Sequence, residues 1–252
     1  MNAKITLVGA GPGDPELISI KGMKALQQAD VVLYDALAHP DLLKYAPANA
    51  IKKYVGKRVG RHSFKQEDIN RMLVEYALQY GHVVRLKGGD PFIFGRGKEE
   101  LDYVESFNIP TAVVPGISSV NVAGLNQIPL TVRGINQSFW VLTATTSTRQ
   151  LSKDIYLAAQ SSATLVILMG TRKLEQIANI FADLNRGNTP VAIIQNGSLP
   201  NEKVVIGTMK GIVEKAQIEQ VASPAVIIIG EVVATHEQFA LQQIVQLAKQ
   251  RA

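Results

Sequence analysis

The chain is expected to fold as an α/β protein with two domains: a mostly parallel N-terminal sheet over residues 1–114 and a mixed C-terminal sheet over residues 115–252. Three observations predict this. Short β-branched runs alternate with helix-period segments through the first half, the pattern of a helix-covered parallel sheet. Glycine-rich turns close two of those runs, at Gly9-Ala-Gly-Pro-Gly13 and at Gly88-Gly89. After Pro115-Gly116 the alternation gives way to more closely spaced strands, a pattern that allows antiparallel pairing.

The elements follow in order. Lys4–Val8 reads as a buried strand. Asp14 stands as an N-cap with Pro15 at the first helical position, and the helix is expected to run through Ala29. Val31–Tyr34 is the second strand, ended by Asp35, and Ile51–Val55 the third, ended by Gly56-Lys57. Ser63 and Gln66 have capping-box spacing, and Ile69, Met72, Leu73 and Tyr76 form the apolar stripe behind them. His82–Lys87 is the fourth strand, and Ala112–Val114 a short fifth. Ser118 begins a small-residue helix that Ile128-Pro129-Leu130 closes. Five further strands are expected at Ser138–Ala144, Thr164–Met169, Val191–Gln195, Lys203–Gly207 and Ala225–Val233, with a helix at Lys173–Leu184.

Composition narrows the function classes. With 46% apolar and 19% charged residues, a chain of this length can bury a proper core, which argues against disorder. The net charge of +5 is spread evenly: residues 1–113 carry 15 Lys+Arg against 13 Asp+Glu, and the remainder 11 against 8. No basic domain of the nucleic-acid-binding kind is present. One local basic run stands out, Lys52, Lys53, Lys57, Arg58, Arg61 and Lys65, with no acid between them. The absence of cysteine excludes disulfides, thiolate catalysis and cysteine-ligated metal, and agrees with a reducing cytoplasm. His39, His62, His82 and His236 lack metal-site spacing, so no metal is expected. Neither a signal peptide nor a membrane span is expected, because the longest apolar runs are strand-length.

Several turns carry residues suited to chemistry. A dinucleotide fingerprint would need glycine at position 14, where Asp14 stands. A carboxylate at a helix entrance repels phosphate, so this loop suits a non-phosphorylated ligand or a plain N-cap. Gly88 and Gly89 would let a flat ligand approach the backbone, with Asp90 accepting from an amine or hydroxyl. Alternatively, Asp90 caps the next helix. Asp35 ends a strand where parallel sheets place ligands, or else caps a turn. Lys57 and Arg58 follow a neighbouring strand and could face Asp35, or be solvated. Met169 ends a strand and reads most simply as core. Asn196-Gly197-Ser198 reads as a turn with the glycine at positive φ.

Longer stretches carry a resemblance. They are Val-Gly-Ala-Gly-Pro-Gly-Asp-Pro (8–15), Tyr34-Asp35, Val-Gly-Lys-Arg-Val-Gly-Arg-His-Ser (55–63) and Gln-Glu-Asp-Ile-Asn (66–70). The block Val-Val-Arg-Leu-Lys-Gly-Gly-Asp-Pro-Phe-Ile-Phe-Gly-Arg-Gly (83–97) is the most specific. Val-Val-Pro-Gly-Ile-Ser-Ser (113–119), Ile-Pro-Leu-Thr (128–131), Leu-Met-Gly-Thr (168–171) and residues 223–233 continue it. Across nearly its whole length the chain resembles the tetrapyrrole methylases.

The resemblance implies a two-domain class III methyltransferase fold that binds S-adenosyl-L-methionine in an interdomain cleft and releases S-adenosyl-L-homocysteine. It implies a homodimer acting in the cytoplasm on a small-molecule tetrapyrrole, with no nucleic-acid or membrane partner. The implied reaction methylates uroporphyrinogen III twice, through precorrin-1 to precorrin-2, which feeds sirohaem and cobalamin synthesis. Asp35 matches the family's proton acceptor and Lys57 its proton donor. Pro12, Gly88, Gly89, Asp90, Ile93, Ser118, Ser119, Met169, Gly197 and Ala225 match the S-adenosylmethionine contacts. Arg58 and Arg61 would face the eight substrate carboxylates. The chain departs from the family pattern at Lys98, Val132, Ala144, Thr145 and Ile155. These departures leave two alternatives open: a methylase for a different corrinoid, or a non-catalytic homologue that binds S-adenosylmethionine.

Overall fold

The computed structural model describes residues 2–56 and 64–241. The expectations placed on Lys57, Arg58, Arg61 and Ser63 lie outside these residues. The chain forms two compact units, Met1–Ser119 and Val120–Ala252, against an expected junction at 114/115.

The first unit holds a five-stranded sheet in the order β3-β2-β4-β1-β5. Its strands are β1 (Lys4–Gly9), β2 (Val31–Tyr34), β3 (Ile51–Tyr54), β4 (His82–Lys87) and β5 (Thr111–Val114). All four pairings are parallel, so every strand ends at the same edge. The apolar runs are legible as strands because both faces of this sheet are covered. One face packs on α2 (Gln66–Tyr80) and α3 (Gly97–Glu105) through Ile69, Leu73, Leu101 and Val104. The other packs on α1 (Ile20–Gln27) and the 3-10 segment Pro40–Tyr45 through Leu26 and Leu42.

The connections after β1 and β2 therefore cover one face, and those after β3 and β4 the other. The reversal falls between the adjacent strands β1 and β4. In open parallel sheets, ligands bind at such a reversal, beyond the carboxyl ends of the strands.

The helix expected from Asp14 through Ala29 is two pieces. Asp14 caps a 3-10 turn at Pro15–Leu17, with its carboxylate accepting from Glu16 N at 2.8 Å. Ile18 is then extended, and Ser19 starts α1 by accepting from Gly22 N at 3.0 Å. At α2 the described cap is Asp68, which accepts from Lys65 N at 3.2 Å.

The second unit holds a mixed sheet in the order β6-β7-β10-β8-β9. These strands are β6 (Phe139–Thr143), β7 (Thr164–Leu168), β8 (Pro190–Gln195), β9 (Lys203–Thr208) and β10 (Ala225–Ile229). Only β6–β7 is parallel; β10 runs antiparallel to β7 and β8, and β9 to β8. One face packs on α5 (Asp154–Ala158), α6 (Leu174–Asp183) and α7 (Ile212–Ile218), with Phe181 among the largest buried side chains. The other face packs on Val122 and Ala123 of α4 (Val122–Leu125), and on Ile128, Val232 and Val233. The strand expected to reach Val233 stops at Ile229, because Gly230 turns at φ 148 and a 3-10 segment follows. Among the described residues, no helix is long and apolar enough to cross a membrane.

Candidate active site

The exits of β1, β4 and β5 meet backbone to backbone at the reversal point. Ala10 N donates to Lys87 O at 2.7 Å, Gly89 N to Gly11 O at 2.7 Å, and Gly11 N to Gly89 O at 3.3 Å. A Cβ on Gly9 would come within 2.7 Å of Gly89 O and 2.5 Å of Gly116 Cα. The three loops can close up only because no side chain stands between them.

Asp90 locks this junction. Its Oδ1 accepts from Phe92 N at 2.8 Å and its Oδ2 from Gly116 N at 3.1 Å. It therefore caps its own turn and ties the β4 loop to the β5 loop. The next helix, α3, begins instead after Arg96, which has left-handed backbone at φ 60.

The two glycines at 88 and 89 differ. The space a Cβ would take on Gly88 is filled by Leu37. Gly89, at φ 65, has only Ser119 N near that position, at 3.8 Å, so its open side is the one that leaves room for a flat ligand. Pro12, Ser118 and Ile93 lie on loops at this same sheet edge and Ser119 opens the 3-10 segment Ser119–Asn121 that follows, with Ser118 buried and Ile93 exposed beside Phe92 and Phe94.

Asp35 follows β2, next to β4 in the sheet. Its Oδ1 accepts from Leu37 N at 3.0 Å and lies 3.4 Å from Gly88 N. The acid thus sits beside the diglycine turn, with its side chain 24% exposed. Lys57, its expected counterpart, is outside the described residues.

Behind Asp35 lies a set of charges that the sequence reading missed. Arg85 and Lys87 stand two apart on β4, so both point to the α2/α3 face. They are 3% and 5% exposed, and Glu100 in the first turn of α3 is 0% exposed. Glu100 Oε1 accepts from Lys87 Nζ at 2.8 Å and from Gln66 Nε2 at 3.0 Å, with Arg85 Nε at 3.4 Å. Arg85 Nη1 donates to Leu86 O at 3.0 Å, and its Nη2 lies 3.5 Å from Asp35 Oδ2. Burial pushes the Lys87 ammonium below the ordinary lysine range; the charge of Arg85 adds to this and Glu100 opposes it. Two cations and two carboxylates make the set neutral, which lets it sit out of water. The available signal was Arg85 inside Val-Val-Arg-Leu-Lys, a cation where a doubly covered parallel strand should be apolar.

In the second unit, Met169, Gly197 and Ala225 lie at one sheet edge, since β7 and β8 end where β10 begins. Met169 is not core: it is 53% exposed, with left-handed backbone at φ 55. Thr145 at the end of β6 donates from Oγ1 to Met169 O at 3.0 Å. Gly197 does not have positive φ; Asn196 and Ser198 on either side do. A Cβ on Gly197 would meet Val122 Cβ at 2.8 Å, so close packing is what demands glycine here. Among the described residues, no group of three or more His, Cys, Asp or Glu could hold a metal ion.

Comparison with known proteins points the same way. The family profile of the Tetrapyrrole (Corrin/Porphyrin) Methylases matches residues 4–213. The chain is 50% identical over 236 residues to the uroporphyrinogen-III C-methyltransferase of Methanocaldococcus jannaschii, covering 92% of this chain and 98% of that one. It is 45% identical over 242 residues to a siroheme synthase of Actinobacillus pleuropneumoniae, of whose length it spans 49%. Among solved structures, the uroporphyrin-III C-methyl transferase of Thermus thermophilus complexed with S-adenyl homocysteine superposes with a TM-score of 0.80 at 38% identity, covering 92% of this chain and 99% of that one. A cobalt precorrin-4 methyltransferase superposes with a TM-score of 0.82 at 26% identity, covering 92% and 96%. The chain belongs to the tetrapyrrole methylase family and has the α/β fold of its class III methyltransferases.

Proposed function

We propose that this chain is an S-adenosylmethionine-dependent C-methyltransferase that converts uroporphyrinogen III through precorrin-1 to precorrin-2. The observation that carries the site assignment is Asp35 held against Gly88, beside the open face of Gly89, at the reversal point of the first sheet. The donor set suits a sulfonium-bearing nucleoside better than a phosphate: Asp14 and Asp90 place carboxylates on the glycine loops, and both are engaged by backbone N–H groups.

S-adenosylmethionine supplies an activated methyl group and leaves as S-adenosylhomocysteine. A pyrrole carbon takes the methyl while the S–CH3 bonding pair stays on sulfur, and the ring then sheds one proton. Asp35, aimed by the Leu37 and Gly88 amides, accepts that proton, and Lys57 acts as the proton donor. Pro12, Gly88, Gly89, Asp90, Ile93, Ser118 and Ser119 of the first unit, and Met169, Gly197 and Ala225 of the second, are assigned to the nucleoside by resemblance. The protein mainly contributes alignment, since the pyrrole is already electron-rich and the sulfonium already electrophilic. Arg58 and Arg61 are assigned to the substrate carboxylates. A cytoplasmic homodimer completes the reading.

Incubation with uroporphyrinogen III and methyl-labelled S-adenosylmethionine tests it: two methyl groups per tetrapyrrole and precorrin-2 are expected. Folded protein that transfers no methyl group refutes it. The likeness to the cobalt precorrin-4 methyltransferase supports a second reading, a different corrinoid substrate. Transfer to a later corrinoid but not to uroporphyrinogen III would select that one.

A further inference from the structure

We infer that Arg85 is a positioning residue for Asp35: it is the buried cation that fixes the orientation of this carboxylate at the sheet edge. The inference rests on the proposed role of Asp35 as proton acceptor. The geometry is directional. Asp35 has two oxygens with separate duties: Oδ1 faces the Leu37 and Gly88 amides, while Oδ2 faces Arg85 Nη2 at 3.5 Å. Arg85 cannot swing away, because Nη1 is bonded to Leu86 O and Nε faces Glu100 Oε1. Glu100 in turn is fixed by Lys87 and Gln66, and Gln66 by its bond to Asn70 Oδ1 at 2.9 Å. A chain of contacts thus runs from helices α2 and α3, through β4, to Asp35 at the sheet edge.

Charge balance explains why the arrangement matters for proton transfer. Among the described residues, the charged groups facing Asp35 are Arg85 and, one step behind, Lys87 and Glu100; Gln66 and Asn70 are neutral, and Tyr54 of β3 lies close by, next to Gly56. Lys87 and Glu100 offset each other, so Arg85 is the net positive charge that Asp35 answers. Without it, Oδ2 would lose its charged neighbour, and the carboxylate could rotate away from the Leu37 and Gly88 amides.

Four proteins test this: the unaltered chain, D35N, R85Q and R85K, with R85Q/E100Q as a charge-balanced backup should R85Q fold poorly. Two measurements are made, kcat at neutral pH and the amide chemical shifts of Leu37 and Gly88 without ligands, which read their bonds to Asp35 Oδ1. In R85Q and in R85Q/E100Q, both amide signals should move in the direction they take in D35N. Their kcat should fall roughly 10–100-fold, while the dissociation constant for S-adenosylhomocysteine stays within about threefold. R85K, which keeps a cation at this place, should recover most of the rate and leave the amide signals near their original positions. A loss of rate in R85Q with the Leu37 and Gly88 signals unmoved, or an R85K as slow as R85Q, makes Arg85 merely structural and overturns the inference. An inactive unaltered chain, or a D35N variant with full rate, refutes the role of Asp35 itself. The two failures are separate, because the ligand-free amide signals read the Arg85–Asp35 coupling without turnover.

Discussion

Glu100 decides whether the charges under the first sheet are an asset or a liability. Its Oε1 serves Lys87, Gln66 and Arg85, while its buried Oε2 has no hydrogen-bond partner. Removing one member of a buried ion set costs more than the set contributes, because it strands the opposite charges. E100Q is expected to lose about 3–5 kcal/mol of stability at pH 7 in urea unfolding. The deficit should shrink as pH rises. Lys87 already sits below the ordinary lysine range when folded, so the unfolded chain binds its proton more tightly. Stability from this group therefore grows as pH climbs toward the ordinary lysine value. Stripping away Glu100 removes a force that held the proton on, which extends this growth to lower pH. An E100Q deficit that stays constant from pH 7 to pH 10 would contradict the account.

Single elements show the same link between local geometry and measurable behaviour. β4 enters the sheet at His82, the end opposite the site. Its Nδ1 lies 2.9 Å from Gln28 O and its Nε2 2.9 Å from Thr6 Oγ1. A carbonyl only accepts, so Nδ1 carries the hydrogen and Nε2 accepts from the threonine. Burial pushes His82 below its ordinary value of 6.5. Its contribution is therefore complete above that value and is lost as pH falls through the lower folded one. The melting temperature should drop between about pH 7 and pH 5, and His82→Gln should flatten that limb. In the second unit, the turn after β8 packs on α4: Gly197→Ala forces a methyl against Val122 and should cost roughly 1–3 kcal/mol. Val122→Ala opens space at the same spot, so the double variant should be better than the sum by about 1 kcal/mol in a denaturation cycle; strict additivity would rule out the clash.

Legibility in the sequence followed the same physics. Strands buried on both faces announce themselves as apolar runs, so Val31–Tyr34 and His82–Lys87 were readable to the residue. Helices α5 and α7 went unread because five and seven residues are too few to establish a period. Ser19 was passed over as a cap because Asp14-Pro15, a strong start signal, precedes it by five residues. In the site, Asp35 and the diglycine turn were visible as strand exits. The Arg85–Glu100 pairing was not, since it depends on where α3 lands on the sheet. Gly197 was read for the wrong property, because a steric demand from Val122, seventy-five positions away, leaves no local trace.

At the scale of the whole molecule, charge sets the last expectation. The protein carries a net charge of +5, and the proposed tetrapyrrole substrate brings eight carboxylates. The basic run gathers six cations within fourteen residues with no intervening acid; its described part includes Lys52 and Lys65, both exposed, and Lys53 over the Phe64 ring at 5.8 Å. Attraction between exposed charges falls steeply once the screening length drops from about 10 Å at 0.1 M salt to about 3 Å at 1 M. The KM for uroporphyrinogen III should therefore rise roughly 5–10-fold over that range. S-adenosylmethionine carries little net charge, and its KM should move less than about twofold. Reversing the two proposed substrate contacts, R58E/R61E, should raise the tetrapyrrole KM at low salt and flatten its salt dependence, leaving S-adenosylhomocysteine affinity unchanged. Equal salt effects on both KM values would place the polyanion away from the basic run.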